Sequence, residues 1–242
     1  MKKIAFFMCG LCAALFMSCT TNTTGTENGH EWVDLGLPSG TKWATCNVGG
    51  SKPEDYGNYY AWGETETKRY YDAAYKWQSY YFDAEYGRWM GCYGDTYGAI
   101  EGKGTLEPGD DAARANWGGQ WRMPTDEEWQ ELIEHCSWSW VSKLWYEVEG
   151  YNGYGYEVEG PNGNTIFLPA AGNRGDGVID CGEDQHYTDD DLGIAEVNGN
   201  YWSSSLDTER GAGSVYFSAG SAVYFGHDYR HYRGQSVRPV FK

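Results

Sequence analysis

Serine, histidine and acidic side chains crowd the last third of the chain, and their spacing decides which chemistry they could do. Ser203, Ser204 and Ser205 form one run, with His227 and His231 downstream. A hydrolytic serine needs a base within hydrogen-bond reach and an acid that orients that base. No nucleophile elbow frames the run, so it reads as the end of a strand. The histidines, His30, His135, His186, His227 and His231, make no HExxH or other metal-ligand spacing. Between Asn173 and Asp191 the acids Asp176, Asp180, Glu183, Asp184, Asp189, Asp190 and Asp191 offer hard oxygens that could hold Ca²⁺. No D-x-[DN]-x-[DN]-G loop organises them, and the stretch reads as a solvated acidic loop. No catalytic residue, metal site or cofactor is therefore expected.

Noncovalent recognition is the remaining chemistry. Val215 and Phe217 alternate with Ser214, Tyr216 and Ser218; after a turn at Ala219, Gly220 and Ser221, Val223 and Phe225 alternate around Tyr224. Such period-two patterning predicts a hairpin with one buried apolar face and one face of tyrosine and serine. The chain then runs through His227, Asp228, Tyr229, Arg230, His231, Tyr232 and Arg233 without periodicity, before a strand expected over Ser236 to Phe241. Tyrosine gives large contact area at low entropy cost, and short polar groups adapt to a partner. Tyr216, Tyr224, His227, Asp228, Tyr229, Arg230, His231, Tyr232 and Arg233 are the candidate ligand-binding residues, for a protein or glycan ligand. The same composition also fits an ordinary hydrated loop in a tyrosine-rich sheet.

The elements that must position this surface are short. In RMPTDEEWQELIEHCSW, Thr125 and Glu128 form a capping box, and Trp129, Leu132, Ile133 and Cys136 share one helical stripe. Asp126, Glu127, Glu128 and Glu131 suit the positive end of that helix. A minor helical turn is expected over Asp111 to Trp117. The sequence YEVEG occurs at Tyr146 to Gly150 and again at Tyr156 to Gly160, which predicts a hairpin turning at Asn152 and Gly153. The rest reads as short strands and glycine turns, an α+β class.

The front of the chain bears on compartment. Lys2 and Lys3 precede an apolar run from Ile4 to Phe16, shorter than the ~20 residues of a transmembrane helix, and Ser18 stands before Cys19. This is the layout of a lipoprotein signal over residues 1–18, with Cys19 the lipidated residue; plain secretion with another cleavage point is the alternative. A flexible tether over 19–30 and a single domain over 31–242 are expected. Loss of Lys2 and Lys3 would move the formal charge from -17 to -19, which repels nucleic acid and anionic headgroups. Cys46, Cys92, Cys136 and Cys181 remain, without CxxC spacing. They allow three pairings, and free buried thiols at Cys46 and Cys136 are an equal alternative.

VDLGLPSGTKWATCNVG (Val33 to Gly49), YYAWGE (Tyr59 to Glu64), ANWGGQWRMPTDEEWQELI (Ala115 to Ile133), NGNTIFLPAAGNR (Asn162 to Arg174), YWSSS (Tyr201 to Ser205) and GQSVRPV (Gly234 to Val240) together resemble the Fibrobacter succinogenes major paralogous domain family of Bacteroidetes surface lipoproteins. The resemblance implies a C-type-lectin-like, formylglycine-generating-enzyme-like fold of short antiparallel strands with one main and one minor helix. It also implies anchoring in the outer membrane at the cell surface. Related variable proteins of diversity-generating retroelements mutate C-terminal codons toward residues such as Tyr, His, Asp and Ser, a set that includes Tyr216, Tyr224, His227, Asp228, Tyr229, His231 and Tyr232. The copper-binding cysteines of formylglycine-generating enzymes have no counterpart after Cys181. The calcium signatures Glu-Pro-Asn and Trp-Asn-Asp of sugar-binding lectins are absent as well. An adhesin-like binding module is the expectation; the alternatives are a retroelement-diversified variable binding protein of the same fold, and an enzyme or a structural envelope protein.

Overall fold

The computed structural model describes residues 23–69, 71, 75–76, 79–83, 88–92, 104–144, 152–175, 197–207, 211–228 and 231–242. Among them the elements run β1 (Thr24–Glu27), β2 (His30–Asp34), β3 (Lys42–Ala44), β4 (Tyr59–Tyr60), β5 (Ser79–Asp83), β6 (Arg88–Cys92), α1 (Ala112–Trp117), α2 (Asp126–His135) and β7 (Ser137–Leu144). There follow β8 (Asn152–Glu159), β9 (Thr165–Pro169), β10 (Asn198–Asp207), β11 (Gly211–Ser218), β12 (Tyr224–Asp228), β13 (Gln235–Ser236) and β14 (Val240–Phe241). The class is mixed α+β with mostly antiparallel strands. A four-stranded sheet has the order β1-β2-β3-β14, a five-stranded sheet β12-β11-β10-β13-β4, and a three-stranded sheet β7-β8-β9, while β5 and β6 pair alone. Within the five-stranded sheet, β10 and β13 run parallel.

Several elements differ from the sequence reading. Part of the expected flexible tether is a strand: the Thr23 carbonyl accepts from the Asp34 amide at 2.8 Å, and β1 pairs with β2 from Thr24↔Val33 to Glu27↔His30. Asn152 and Gly153 are not a turn. They begin β8, opposite Leu144 and Lys143 of β7, so the second YEVEG copy pairs with β7, and the first copy lies outside the described residues. The strand expected from Ser236 to Phe241 is two pieces in two sheets, because Pro239 lacks the N–H a continuous ladder needs. Both helices sit where expected. Asp111 caps α1 by accepting from the Arg114 amide, and Thr125 and Glu128 close the full capping box of α2.

The main helix is held by more than its box. Glu128 takes a bidentate ion pair from Arg122, with both contacts at 2.6 Å, and also accepts from the Thr41 hydroxyl at 3.1 Å. Burial pushes the Glu128 carboxyl up, but Arg122 and the Thr125 and Thr41 hydrogen bonds outweigh it and hold the group below its usual range. The apolar stripe buries Trp129 and Leu132 against Trp43, Tyr201, Val215 and Phe217. Cys136 ends the helix as its C-cap. Cys46 and Cys136 are free thiols, both pushed up by burial, Cys136 to about 11. Cys181 lies outside the described residues.

The three larger sheets meet at Arg238, in the short segment between β13 and β14. Its guanidinium is fully buried and has five N–H groups to satisfy. Nε donates to Asn47 Oδ1 at 2.8 Å, Nη1 to the carbonyls of Ala44 and Thr45 at 3.1 Å each, and Nη2 to the carbonyl of Phe167 at 2.9 Å. Ala44 belongs to β3 and Phe167 to β9, so one side chain ties the four-stranded sheet to the three-stranded one. Asn47 continues the network to the Tyr201 hydroxyl on β10 at 3.3 Å, and that hydroxyl donates to the Pro169 carbonyl at 2.7 Å.

Replacing Arg238 with Met should therefore cost about 3 to 5 kcal/mol in urea unfolding, because buried carbonyls and the Asn47 amide lose their donors together. Arg238→Lys should recover less than half of that loss, since a single ammonium cannot span Asn47, Ala44 and Phe167 at once. A loss below about 1 kcal/mol for Met would show that the guanidinium is not the junction.

Candidate functional site

The five-stranded sheet carries two adjacent cross-strand rows that face opposite ways. Register pairs Tyr59 with Ser236, Ser236 with Tyr201, Tyr201 with Val215 and Val215 with Phe225. Tyr201, Val215 and Phe225 of this row pack inward, on α2 and the three-stranded sheet, while Tyr59 packs with Tyr71, Tyr75 and Ala171. One residue along lies the row Tyr60, Gln235, Asn200, Tyr216 and Tyr224, all on the other face by strand alternation. Exposure rises along it: Tyr60 and Gln235 are 1% exposed, Asn200 9%, Tyr216 39% and Tyr224 57%. Tyr216 and Tyr224 are directly opposed in register, and both side chains leave the sheet on its solvent face. Flanking them are the half-buried Ser214 and Ser218 and the exposed backbone of Gly226.

The candidate residues thus divide. Tyr216 and Tyr224 are presented to solvent as expected. His227 is one step out of phase with Tyr224 and faces α2, where its Nε2 lies 3.3 Å from Asp126 Oδ2. His231 is a correction: its side chain was expected to project from a loop, but it is 1% exposed. Its Nε2 accepts the Ala212 amide at 2.7 Å, which places the ring proton on Nδ1, and its ring packs 5.5 Å from Trp62. Tyr232 and Arg233 are half-buried, Tyr232 packing beside Tyr59, Tyr71 and Tyr75. Asp228 closes β12 opposite Ala212. Tyr229 and Arg230 lie outside the described residues, as does the acidic stretch from Asp176 to Asp191.

Asp126, Ser203 and His227 form a polar cluster beside this sheet. The Ser203 hydroxyl donates to Asp126 Oδ1 and accepts the Ser205 amide at 2.9 Å, and Ser205 Oγ accepts the Asp126 amide at 3.1 Å. Gly213 of β11 lies flat against the carboxylate, and a Cβ there would collide with Asp126 Oδ1. A hydrolytic triad places the imidazole between serine and acid. Here the acid stands between serine and imidazole, and Ser203 is wholly buried. The arrangement latches the first turn of α2 to β10 and β12 instead of activating a nucleophile. Burial pushes the Asp126 carboxyl up, and its contacts to Ser203 and His227 offset that only in part.

Sequence reasoning missed the inner half of the exposed row. Gln235 sits in a two-residue strand and Asn200 beside the aromatic pair Tyr201 and Trp202, with nothing in either position to mark a shared face. Gln235 Oε1 has no hydrogen-bond partner among the described residues, nor does Oδ1 of the buried Asn173. Asn173 lies between Gly172, bridged to Gly199 of β10, and Arg174, bridged to Gly234 beside β13. A separate cleft of about 150 Å³ between Glu54 and the Glu157 and Thr165 side of the three-stranded sheet is smaller than ordinary ligand pockets. Among the described residues no group of three or more His, Cys, Asp or Glu side chains could hold a metal ion. No family model, curated protein or solved structure matches the chain.

The two helix carboxylates should report opposite pH slopes. Glu128 has a depressed folded pKa, so its contribution is complete above the ordinary carboxylate pKa and is lost as pH falls through the folded value. Asp126 has a raised folded pKa, so the fold favours its neutral form and loses stability as pH rises from the ordinary carboxylate range through the folded value. In urea melts from pH 3 to 7, Glu128→Gln should become progressively worse than wild type as pH rises, whereas Asp126→Asn should gain on it. Parallel slopes for the two variants would refute the assigned environments.

Proposed function

We propose that this chain is a lipid-anchored, extracytoplasmic ligand-binding module. We assign it to the Fibrobacter succinogenes major paralogous domain family with a C-type-lectin-like fold, and its ligand surface to the outer face of β11 and β12. The observation that carries this reading is the distribution of exposed apolar area. Among the described residues the exposed large hydrophobic side chains are Val197, Tyr216 and Tyr224. All three lie at one end of one sheet, Tyr216 and Tyr224 on its outer face and Val197 just before β10, where its carbonyl accepts the Ala219 amide at 3.1 Å beside the β11–β12 turn. Scattered apolar residues need no explanation, but a local patch of aromatics on an otherwise acidic chain marks a contact surface. Short antiparallel strands with one main and one minor helix support the fold assignment.

Anchoring rests on Cys19 and the apolar run before it. No helix among the described residues is long and apolar enough to cross a membrane, and a diacylated cysteine supplies attachment without one. Thr23, four residues after Cys19, is already bonded to the domain through the Asp34 amide. The anchor would hold the module close to the outer membrane, at the cell surface. The ligand is a protein or a glycan. A net charge of -17 disfavours nucleic acid.

Two measurements test this reading. Cys19→Ser should move the protein from the membrane pellet into the soluble exported fraction, and a variant that stays in the pellet would rule out the lipid anchor. Cells displaying Tyr216→Ser with Tyr224→Ser should lose capture of the particles or cells that the wild type captures, at an unchanged melting temperature. Equal capture by both would move the ligand surface elsewhere.

A further inference from the structure

Resting on that reading, we propose that Asp126 is the clasp of the edge strand: its carboxylate reaches across Gly213 of β11 to His227 of β12, and so holds Tyr224 where a ligand meets it. His227 is then a positioning residue and not a ligand contact.

The cross-strand pairs explain why a clasp is needed. Among the described residues β12 is the outermost strand of its sheet and pairs with β11 alone. Side chains stand on both strands at Tyr216↔Tyr224 and Val215↔Phe225, and Phe225 packs into the apolar layer beneath the sheet. At the next two pairs, Ser214↔Gly226 and Gly213↔His227, one partner is glycine. Cross-strand side-chain contacts stabilise paired strands, and a glycine inside a strand supplies none. The half of β12 from Gly226 onward therefore needs support from outside the ladder.

Asp126, the first residue of α2, supplies it. Its Oδ1 accepts from the Ser203 hydroxyl of β10, and its Oδ2 lies 3.3 Å from His227 Nε2 of β12. Because β10, β11 and β12 are consecutive in the sheet, one carboxylate engages the two outer members of the trio across the middle one. Gly213 is what the middle strand contributes, since a Cβ there would collide with Asp126 Oδ1. The residue that weakens the ladder is the one that opens the path for the carboxylate.

The side chains of Asp126 and His227 are each 16% exposed, so solvent screens their contact less than it screens a surface pair. An imidazole presents Nε2–H in its charged form and in one neutral tautomer, so the clasp does not require a charged ring. The His227 ring also meets Phe225 edge-on at 5.7 Å. Clasp and apolar anchor thus lie together under β12, while Tyr224 leaves from its other face.

The experiment follows backbone hydrogen exchange by mass spectrometry in the full-length protein in detergent micelles at one fixed pH, beside capture by displaying cells. His227→Leu should speed exchange of the β12 amides, Tyr224 to Asp228, by about tenfold or more through loss of a hydrogen bond to a carboxylate, while β10 stays within about twofold. His227→Gln, which keeps an amide donor, should stay within about threefold of wild type. Gly213→Ala should reproduce the effect of His227→Leu with both members of the pair still present, because it displaces the carboxylate. In case that variant does not fold, His227→Leu is also introduced into Asp126→Ala, where it should add less than about twofold. Capture should fall in His227→Leu and recover in His227→Gln, in step with exchange. Unchanged β12 exchange in His227→Leu, or an undiminished effect in Asp126→Ala, would overturn the clasp. Raised exchange with capture intact would overturn the positioning role, and capture lost without a rise in exchange would make His227 a ligand contact and overturn it as well. Capture indifferent to Tyr216→Ser with Tyr224→Ser, with exchange still raised in His227→Leu, would refute the ligand surface and the positioning role together while the clasp of the strand stands.

Discussion

One buried guanidinium holds the architecture together. Arg238 is enclosed with no carboxylate among its described hydrogen-bond partners, and its positive charge is met by three backbone carbonyls and the Asn47 side chain. Burying a charge is costly unless each donor is matched, so the acceptors on β3, on β9 and in the Asn47 loop must come together for the fold to close. Burial lowers the pKa of the group, while the nearby Tyr201 and Cys46 act in the opposite direction. Asn47 carries the constraint to Tyr201 in the middle of β10, and Tyr201 stands in the inward row whose alternate neighbours form the exposed one. The tyrosine face therefore inherits its rigidity from a side chain on the opposite side of the sheet.

The second layer of the fold repeats the same logic with an ion pair. Arg122 bridges by backbone to Val240 of β14 and by side chain to Glu128 at the start of α2. A capping box alone satisfies two orphan amides. Here it also carries a bidentate pair and a threonine, and Asp126 two residues earlier is clamped to β10. The helix is tied at its N-terminus to two sheets, and Trp129 follows one turn later with its indole donating to the Trp202 carbonyl at 3.3 Å. Acids that look like ordinary helix-dipole partners are, at Asp126 and Glu128, inter-element fasteners.

Local signals in the sequence survive well in the structure, and nonlocal ones do not. Thr125 and Glu128 placed α2, Asp111 placed α1, and strict alternation placed β11 and β12, because each is a short-range pattern with a physical cause. The YEVEG repeat misled, since strand pairing answers to partner strands and not to self-similarity: β8 pairs with the tryptophan-bearing β7 and with β9. The segment after Gly226 was legible only as composition. Its histidines look alike in sequence, yet His227 faces a helix and His231 is enclosed beside Trp62. Gln235 and Asn200 escaped notice because their proximity depends on a parallel pairing between strands more than thirty residues apart.

Strand parity, more than residue type, decides what such a segment can present. Tyrosine, histidine and arginine all suit binding, but a side chain in a sheet reaches solvent only when its phase and its distance from the covered centre allow it. Tyr224 and Phe225 are neighbours with opposite fates for that reason alone. The same rule explains why the exposed row is graded. At β4 and β13 both faces are covered, at β10 the amides are just enclosed, and at the edge the rings stand free. A row that begins as buried amide and ends as open aromatic offers hydrogen bonds at depth and stacking at the rim. That gradient follows from where each strand lies in the sheet order and does not depend on any loop.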